Sequence, residues 1–254
     1  MVLAIDIGNT NIVFGCFEGD DILFRERAST NLLATDLEYA SVIRTAFELH
    51  SISPDKITGA VISSVVPSLT ATVAKAVEKY TSVKVLVVGP GVKTGLKITI
   101  DNPAQLGSDL VVAAVASISK YPLPQIIIDL GTATTFSVVD KKQNFLGGII
   151  MTGMAVSLDA LANRTSQLPK IAFETPKRVI GTNTVDSMKS GIMYGTAGAI
   201  DGMIDRIEKE LGEKCTVVAT GGLSGSVAKL CEHNVTLDED LLLTGLKLIY
   251  NKNK

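Results

Sequence analysis

The chain has 254 residues, of which 46% are hydrophobic and 20% charged. That composition supports one large or two small globular domains and excludes a disordered protein. A net charge of −2 leaves no basic footprint for nucleic acid or an anionic membrane, and neither is expected as a partner. Three cysteines and two histidines lie far apart, which argues against a disulfide framework, a zinc cluster or a His-based triad. An acid at position 6 and the lack of a basic stretch make the first residues a poor signal peptide. No apolar run reaches membrane-span length, so a cytoplasmic setting is the expectation.

Val2–Ile7 is a β-rich run, and the turn Gly8-Asn9 leads into a second, Thr10–Phe17. After the turn signal Glu18-Gly19-Asp20, Ile22–Arg27 completes a predicted meander. Thr35–His50 has a helical apolar face, and Ser53-Pro54-Asp55 breaks the chain. A buried strand over Ile57–Ser63, a helix over Leu69–Tyr80 and a strand over Val83–Val88 follow. The loop GPGVKTG has one residue too many for a dinucleotide fingerprint, and no P-loop pattern occurs. Gly107-Ser108-Asp109 stands before LVVAAVASI as a helix start. On local sequence the acid reads first as a helix cap, with a general base as the alternative.

The pattern then restarts. Gln125–Leu130 and Thr134–Val139 are strands around Gly131-Thr132, and Phe145–Ile150 is a third. Helices are expected at Ala155–Asn163 and Thr184–Leu211, a strand at Val217–Ala219 ending in Thr220-Gly221-Gly222, and a last helix at Asp238–Tyr250. AIDIGNTN at 4–11 and IIDLGTAT at 127–134 are two versions of one strand–Asp–Gly–turn–strand unit. The repeat predicts two similar α/β halves, residues 1–120 and 121–254, facing each other across a cleft.

A single Asp-x-Gly turn is most often an ordinary β-turn. Two at matched positions suit phosphate oxygens, through backbone N–H groups and hydroxyls. An acid ending the preceding strand, Asp6 above all, can hold Mg²⁺. Thr220-Gly221-Gly222 permits close backbone approach, as an adenosine pocket requires.

These segments carry a resemblance. DIGNTN at 6–11, SSVVP at 63–67, VVGPGVKTGL at 87–96, GSD at 107–109, DLGTATT at 129–135, SMKSG at 187–191 and ATGGL at 219–223 occur in the order of a type III pantothenate kinase. The resemblance implies a duplicated actin-like, ribonuclease-H-like fold. It also implies transfer of the ATP γ-phosphate to pantothenate, the first step of coenzyme A synthesis. It further implies Mg²⁺, a monovalent cation such as K⁺ or NH₄⁺, and a dimer, either a homodimer or a heterodimer with a paralogue.

Carried over by position, Asp6, Ile7, Gly8, Asn9, Thr10, Asn11, Ile12 and Val13 form the first phosphate loop, and Gly131 and Thr132 the second. Asp129 takes the potassium ion, and Gly221 and Gly222 line the adenosine pocket. Gly107, Ser108, Asp109 and Leu110 bind substrate, with Asp109 as catalytic base, and Thr184 contacts pantothenate.

The chain departs from the family's pattern on the substrate side. Leu110 replaces an Arg, Ile100 a Tyr, Thr152 a Pro, and Gln167 and Thr182 each a Lys. An Arg would be a natural partner for an anionic substrate, and Leu110 offers neither its charge nor its donors. Arg164 is one residue that could compensate. A half-catalytic paralogue paired with another family member, and a kinase for a different small alcohol, are the other readings of these changes.

Overall fold

The computed structural model describes all 254 residues, which divide into two compact units. The first comprises residues 1–96, 101–119 and 240–254. Its sheet contains β1 (Val2–Ile7), β2 (Asn11–Glu18), β3 (Asp21–Ser29), β4 (Gly59–Ser64) and β5 (Val85–Val87), in the order β3-β2-β1-β4-β5. β1 to β3 form an antiparallel meander, and β4 and β5 add in parallel. β1 is central and nearly continuously buried, which is why it reads as an unbroken apolar run, whereas the edge strand β3 alternates.

Helices cover both faces of this sheet. On one side, α1 (Asp36–Leu49) and α2 (Pro67–Thr81) bury Tyr39, Ile43, Phe47, Leu69 and Val73 with Leu3, Ile5 and Ile62. A capping box starts α1: Thr35 N–H donates to Glu38 Oε2 at 2.7 Å, and the Thr35 hydroxyl accepts from Glu38 N–H. On the other side, α3 (Ser108–Lys120) and the C-terminal helix Leu241–Asn253 place Val112, Val115, Leu243, Leu246 and Ile249 against Val2, Ala4 and Val61.

The C-terminal helix corrects one expectation. Residues 240–254 group with the first unit, not with a second half running to 254. Its apolar face fills the sheet side that α1 and α2 leave open. Gly245 brings it so close to α3 that any Cβ would strike the Val112 carbonyl.

The second unit comprises residues 97–100 and 120–239. It contains β6 (Lys97–Ile98), β7 (Gln125–Leu130), β8 (Ala133–Val139), β9 (Asn144–Thr152), β10 (Thr216–Thr220) and β11 (Val235–Leu237), in the order β11-β10-β7-β8-β9-β6. β6 and β11 are the strands the sequence does not announce, with two and three residues. Without β6, the order and strand directions repeat those of the first sheet, β7, β8, β9, β10 and β11 matching β1 to β5. The duplication read from two eight-residue segments therefore extends to all five strands.

α4 (Met154–Arg164), α5 (Thr184–Leu211) and α6 (Ser224–Val227) accompany this sheet. α5 is capped by Asn183, whose side chain accepts from Asp186 N–H at 2.9 Å, and it ends at Gly212, where φ is +73°. No helix is long and apolar enough to cross a membrane.

Candidate active site

In the first unit the β1–β2 hairpin pairs Ile7 with Ile12, leaving residues 8–11 as the turn. Gly8 N–H closes it onto the Asn11 carbonyl at 2.9 Å. Thr30, just beyond β3, braces the turn twice. Its hydroxyl donates to the Gly8 carbonyl at 2.6 Å and its N–H to the Thr10 carbonyl at 2.9 Å. Asn9 and Thr10 are exposed, whereas Ile7 and Ile12 are fully buried. Of the eight residues expected in this loop, those two therefore offer only backbone.

The second unit repeats the device with one residue fewer. Leu130 pairs with Thr134, so the turn is residues 131–133, closed by Gly131 N–H onto the Ala133 carbonyl at 3.0 Å. Gly131 and Thr132 are exposed. The brace is Gly153, whose N–H donates to the Thr132 carbonyl at 3.2 Å; any Cβ there would run into the Gly131 and Thr132 carbonyls.

Each turn follows an acid, and each acid has a hydroxyl residue beside it on the neighbouring parallel strand. Asp6 is in register with Ser63, and Asp129 with Thr220. In the first unit that hydroxyl is used. Ser63 Oγ meets Ser108 Oγ at 3.0 Å, while Ser108 Oγ accepts from Ser64 N–H at 3.1 Å and lies 3.0 Å from the Ser64 carbonyl. One side chain thus ties the start of α3 to the strand next to Asp6, a coupling across 44 residues of sequence with no local signal. The next residue is Asp109.

Asp109 is not the cap of α3. The helix begins at Ser108, and the Gly107 carbonyl accepts from Val111 N–H. Asp109 lies in the first turn, where Oδ1 accepts from its neighbour Leu110 N–H at 2.8 Å. Gly107 makes room for the carboxylate, because a Cβ there would collide with Oδ1. Burial pushes the Asp109 carboxyl above its ordinary range, against the pull of the Leu110 and Asp109 N–H groups. A half-buried carboxyl that holds its proton more tightly than usual is a competent proton acceptor.

In the second unit Thr220 Oγ1 is fully buried and finds no hydrogen-bond partner. Gly221, at φ +96°, lies against Asp129 so closely that a Cβ would stand 2.5 Å from Oδ1. A carboxylate beside an unsatisfied hydroxyl is a donor set that fits a hard cation. Asp6, partly exposed at the mouth of its turn, likewise fits a divalent ion bound through oxygen.

Thr184, the first residue of α5, lines a cavity of about 740 Å³ together with Leu168, Thr182, Asn183, Ser187 and Met188. A second cavity shares Gly181 and Thr182 with it and carries Lys177, Arg178 and Lys189. Lys189 is paired with Glu174 at 2.6 Å. Arg164, the compensating cation suggested by sequence, is exposed at the end of α4.

The sequence profile of the type III pantothenate kinase family matches residues 2–206. The type III pantothenate kinase of Exiguobacterium sp. (strain ATCC BAA-1283 / AT1b) is 43% identical over 254 residues, covering 100% of both chains. Among solved structures, a conserved Baf-family protein from Campylobacter jejuni superposes with a TM-score of 0.63 at 19% identity, covering 99% of this chain and 98% of that one. A ROK family glucokinase from Streptomyces griseus, solved with glucose and AMPPNP, gives 0.52 at 14% identity, covering 99% and 98%. These structural likenesses establish the duplicated actin-like, ribonuclease-H-like fold.

Proposed function

The chain belongs to the type III pantothenate kinase family, and from this premise we propose how its residues divide the work. The reaction transfers the γ-phosphate of ATP to the hydroxyl of pantothenate and opens coenzyme A synthesis. Phosphoryl transfer asks a protein mainly for positioning and charge neutralisation. Gly8 to Asn11 and Gly131 with Thr132 supply N–H groups and hydroxyls to the phosphates. Gly221 and Gly222 admit the adenosine. Asp6 would hold Mg²⁺, and Asp129 beside Thr220 a K⁺ or NH₄⁺ ion. When bound, these cations neutralise phosphate charge.

Asp109 takes the proton from the pantothenate hydroxyl as its oxygen bonds to the γ-phosphorus. The bond from that phosphorus to the β–γ bridging oxygen breaks, and ADP leaves with the electron pair. Thr184 contacts pantothenate from the 740 Å³ cavity. Leu110, which follows the base, gives the substrate an apolar contact and no charge. The protein works as a dimer. A cytoplasmic setting fits its three free thiols.

The observation that carries the assignment of Asp109 is the Ser63–Ser108 contact, which holds the start of α3 on the strand paired with Asp6. The test is formation of phosphopantothenate by the purified chain with ATP, Mg²⁺ and K⁺. Turnover by the chain alone is expected. Absence of turnover, restored by a second family member, would replace this reading with that of a dependent subunit.

A further inference from the structure

Away from the hairpins, four side chains of the second unit converge at the end of α5. Asp201, Asp205 and Glu208 stand at i, i+4 and i+7, so one helix face carries all three. His233, in the connection before β11, meets them. Its Nδ1 lies 2.9 Å from Asp201 Oδ1, and the same carboxylate accepts the Glu232 and His233 N–H groups at 2.9 and 3.1 Å. A carboxylate has no proton to give, so in the neutral ring Nδ1 carries the proton and Nε2 keeps its lone pair. That lone pair meets Asp205 Oδ1 at 3.2 Å. Two acceptors this close repel unless a proton or a metal ion joins them. Glu208 adds a third, and one ligand atom from each of the three residues lies within 4.8 Å of the others.

We propose that His233 Nε2, Asp205 and Glu208 form a site for a divalent transition metal of the zinc type, with Asp201 as the positioning residue behind the imidazole. The ligand chemistry selects the class of metal. An imidazole favours zinc and its neighbours over magnesium or calcium, and Asp and Glu oxygens are also ligands that zinc accepts. With metal–ligand bonds of about 2.0–2.1 Å, tetrahedral neighbours stand roughly 3.3 Å apart, near the spacing already present between His233 and Asp205.

The Asp201–His233 contact is the arrangement that fixes tautomer and ring orientation at zinc sites. Lys214 now sits 2.6 Å from Glu208 Oε2, but its side chain is 83% exposed and can swing into water as the ion enters. Asp205, with 66% of its side chain exposed, provides the way in. Three protein ligands leave a position for water, and the bound ion would pin the last turns of α5 to the β10–β11 connection. This site is independent of the kinase assignment and uses none of its residues.

The test is calorimetric titration of the full chain with ZnCl₂ while excess Mg²⁺ occupies the oxygen sites, with Co²⁺ absorption as a second readout. One zinc per chain is expected, with a rise in melting temperature. Asp205→Asn, an exposed change that leaves the core untouched, should weaken binding at least about 10-fold. Asp201→Asn should weaken it roughly 10- to 100-fold, as loss of such a supporting carboxylate does elsewhere. No zinc uptake, or uptake that both Asp205→Asn and His233→Ala leave unchanged, overturns the proposal. In the first case the cluster is a hydrogen-bonded surface group without metal, and in the second the metal lies elsewhere.

Discussion

The two units build the same hairpin and spend the neighbouring position differently. Ser63 and Thr220 are equivalent, each in register with the acid that precedes its turn. Ser63 is joined to Ser108 and so to the helix that carries Asp109. Thr220 has no partner, and the residue after it is a glycine pressed against Asp129. Duplication supplied two hairpin turns, each preceded by an acid. What stands behind each differs: Ser108 and the buried Asp109 in the first unit, Thr220 and Asp129 in the second. The braces differ in the same way, a threonine side chain on the first turn and a side-chain-free Gly153 on the second.

Removing the base should produce the largest effect. Asp109→Asn is expected to lower kcat about 10²- to 10⁴-fold, the usual contribution of general-base catalysis, while nucleotide binding persists. Its stability should move the other way. Because burial raises the folded-state pKa of Asp109, the native state is favoured by the protonated carboxyl. That stability is present below the ordinary carboxylate range of about 3.9 and is lost as pH rises through the raised folded value. At neutral pH the asparagine variant should therefore melt no lower than the wild type.

Adding a methyl group at one glycine of each unit should come next. Gly221→Ala forces a side chain into positive φ and onto Asp129, at a cost of about 1–3 kcal/mol, and should weaken nucleotide binding. Gly8→Ala, at an ordinary φ with its nearest new contact 3.0 Å from the Asn11 carbonyl, should be milder in the same melting and nucleotide-titration experiments. If Gly8→Ala proves the worse, Gly221 is not the more tightly constrained of the two glycines.

A smaller contrast lies in the paired hydroxyls. Ser108→Ala removes the anchor of α3 and should cost about 1 kcal/mol and lower kcat. Thr220→Val removes a hydroxyl with no partner, so denaturant melts should change by less than about 0.5 kcal/mol. Activation by K⁺ should nevertheless weaken in that variant.

Much of this arrangement was legible in the sequence, for identifiable reasons. Strands buried on both faces, such as β1 and β7, announce themselves as short β-branched runs, and the Asp-x-Gly segments that end them mark the repeat. β6 and β11 are too short for any periodicity. The C-terminal helix shows an apolar face but not which sheet it covers; Leu243, Leu246 and Ile249 gave no hint that Val2 and Val61 were their partners. At the site, Asp109 could be read as cap or base because both roles favour an acid at a helix start. The Gly107 carbonyl, which accepts from Val111 N–H, excludes the cap, and the contacts of Ser108 depend on Ser63, Ser64 and the fold that brings β4 to α3.

The most direct measurement is the pH dependence of kcat/KM for pantothenate, wild type against Asp109→Asn. The wild type should lose activity on the acid side along a limb that lies above the ordinary carboxylate range, as a buried base requires. The residual rate of the variant should lack that limb. A variant that keeps both the wild-type rate and the limb would contradict the assignment of Asp109 as the base.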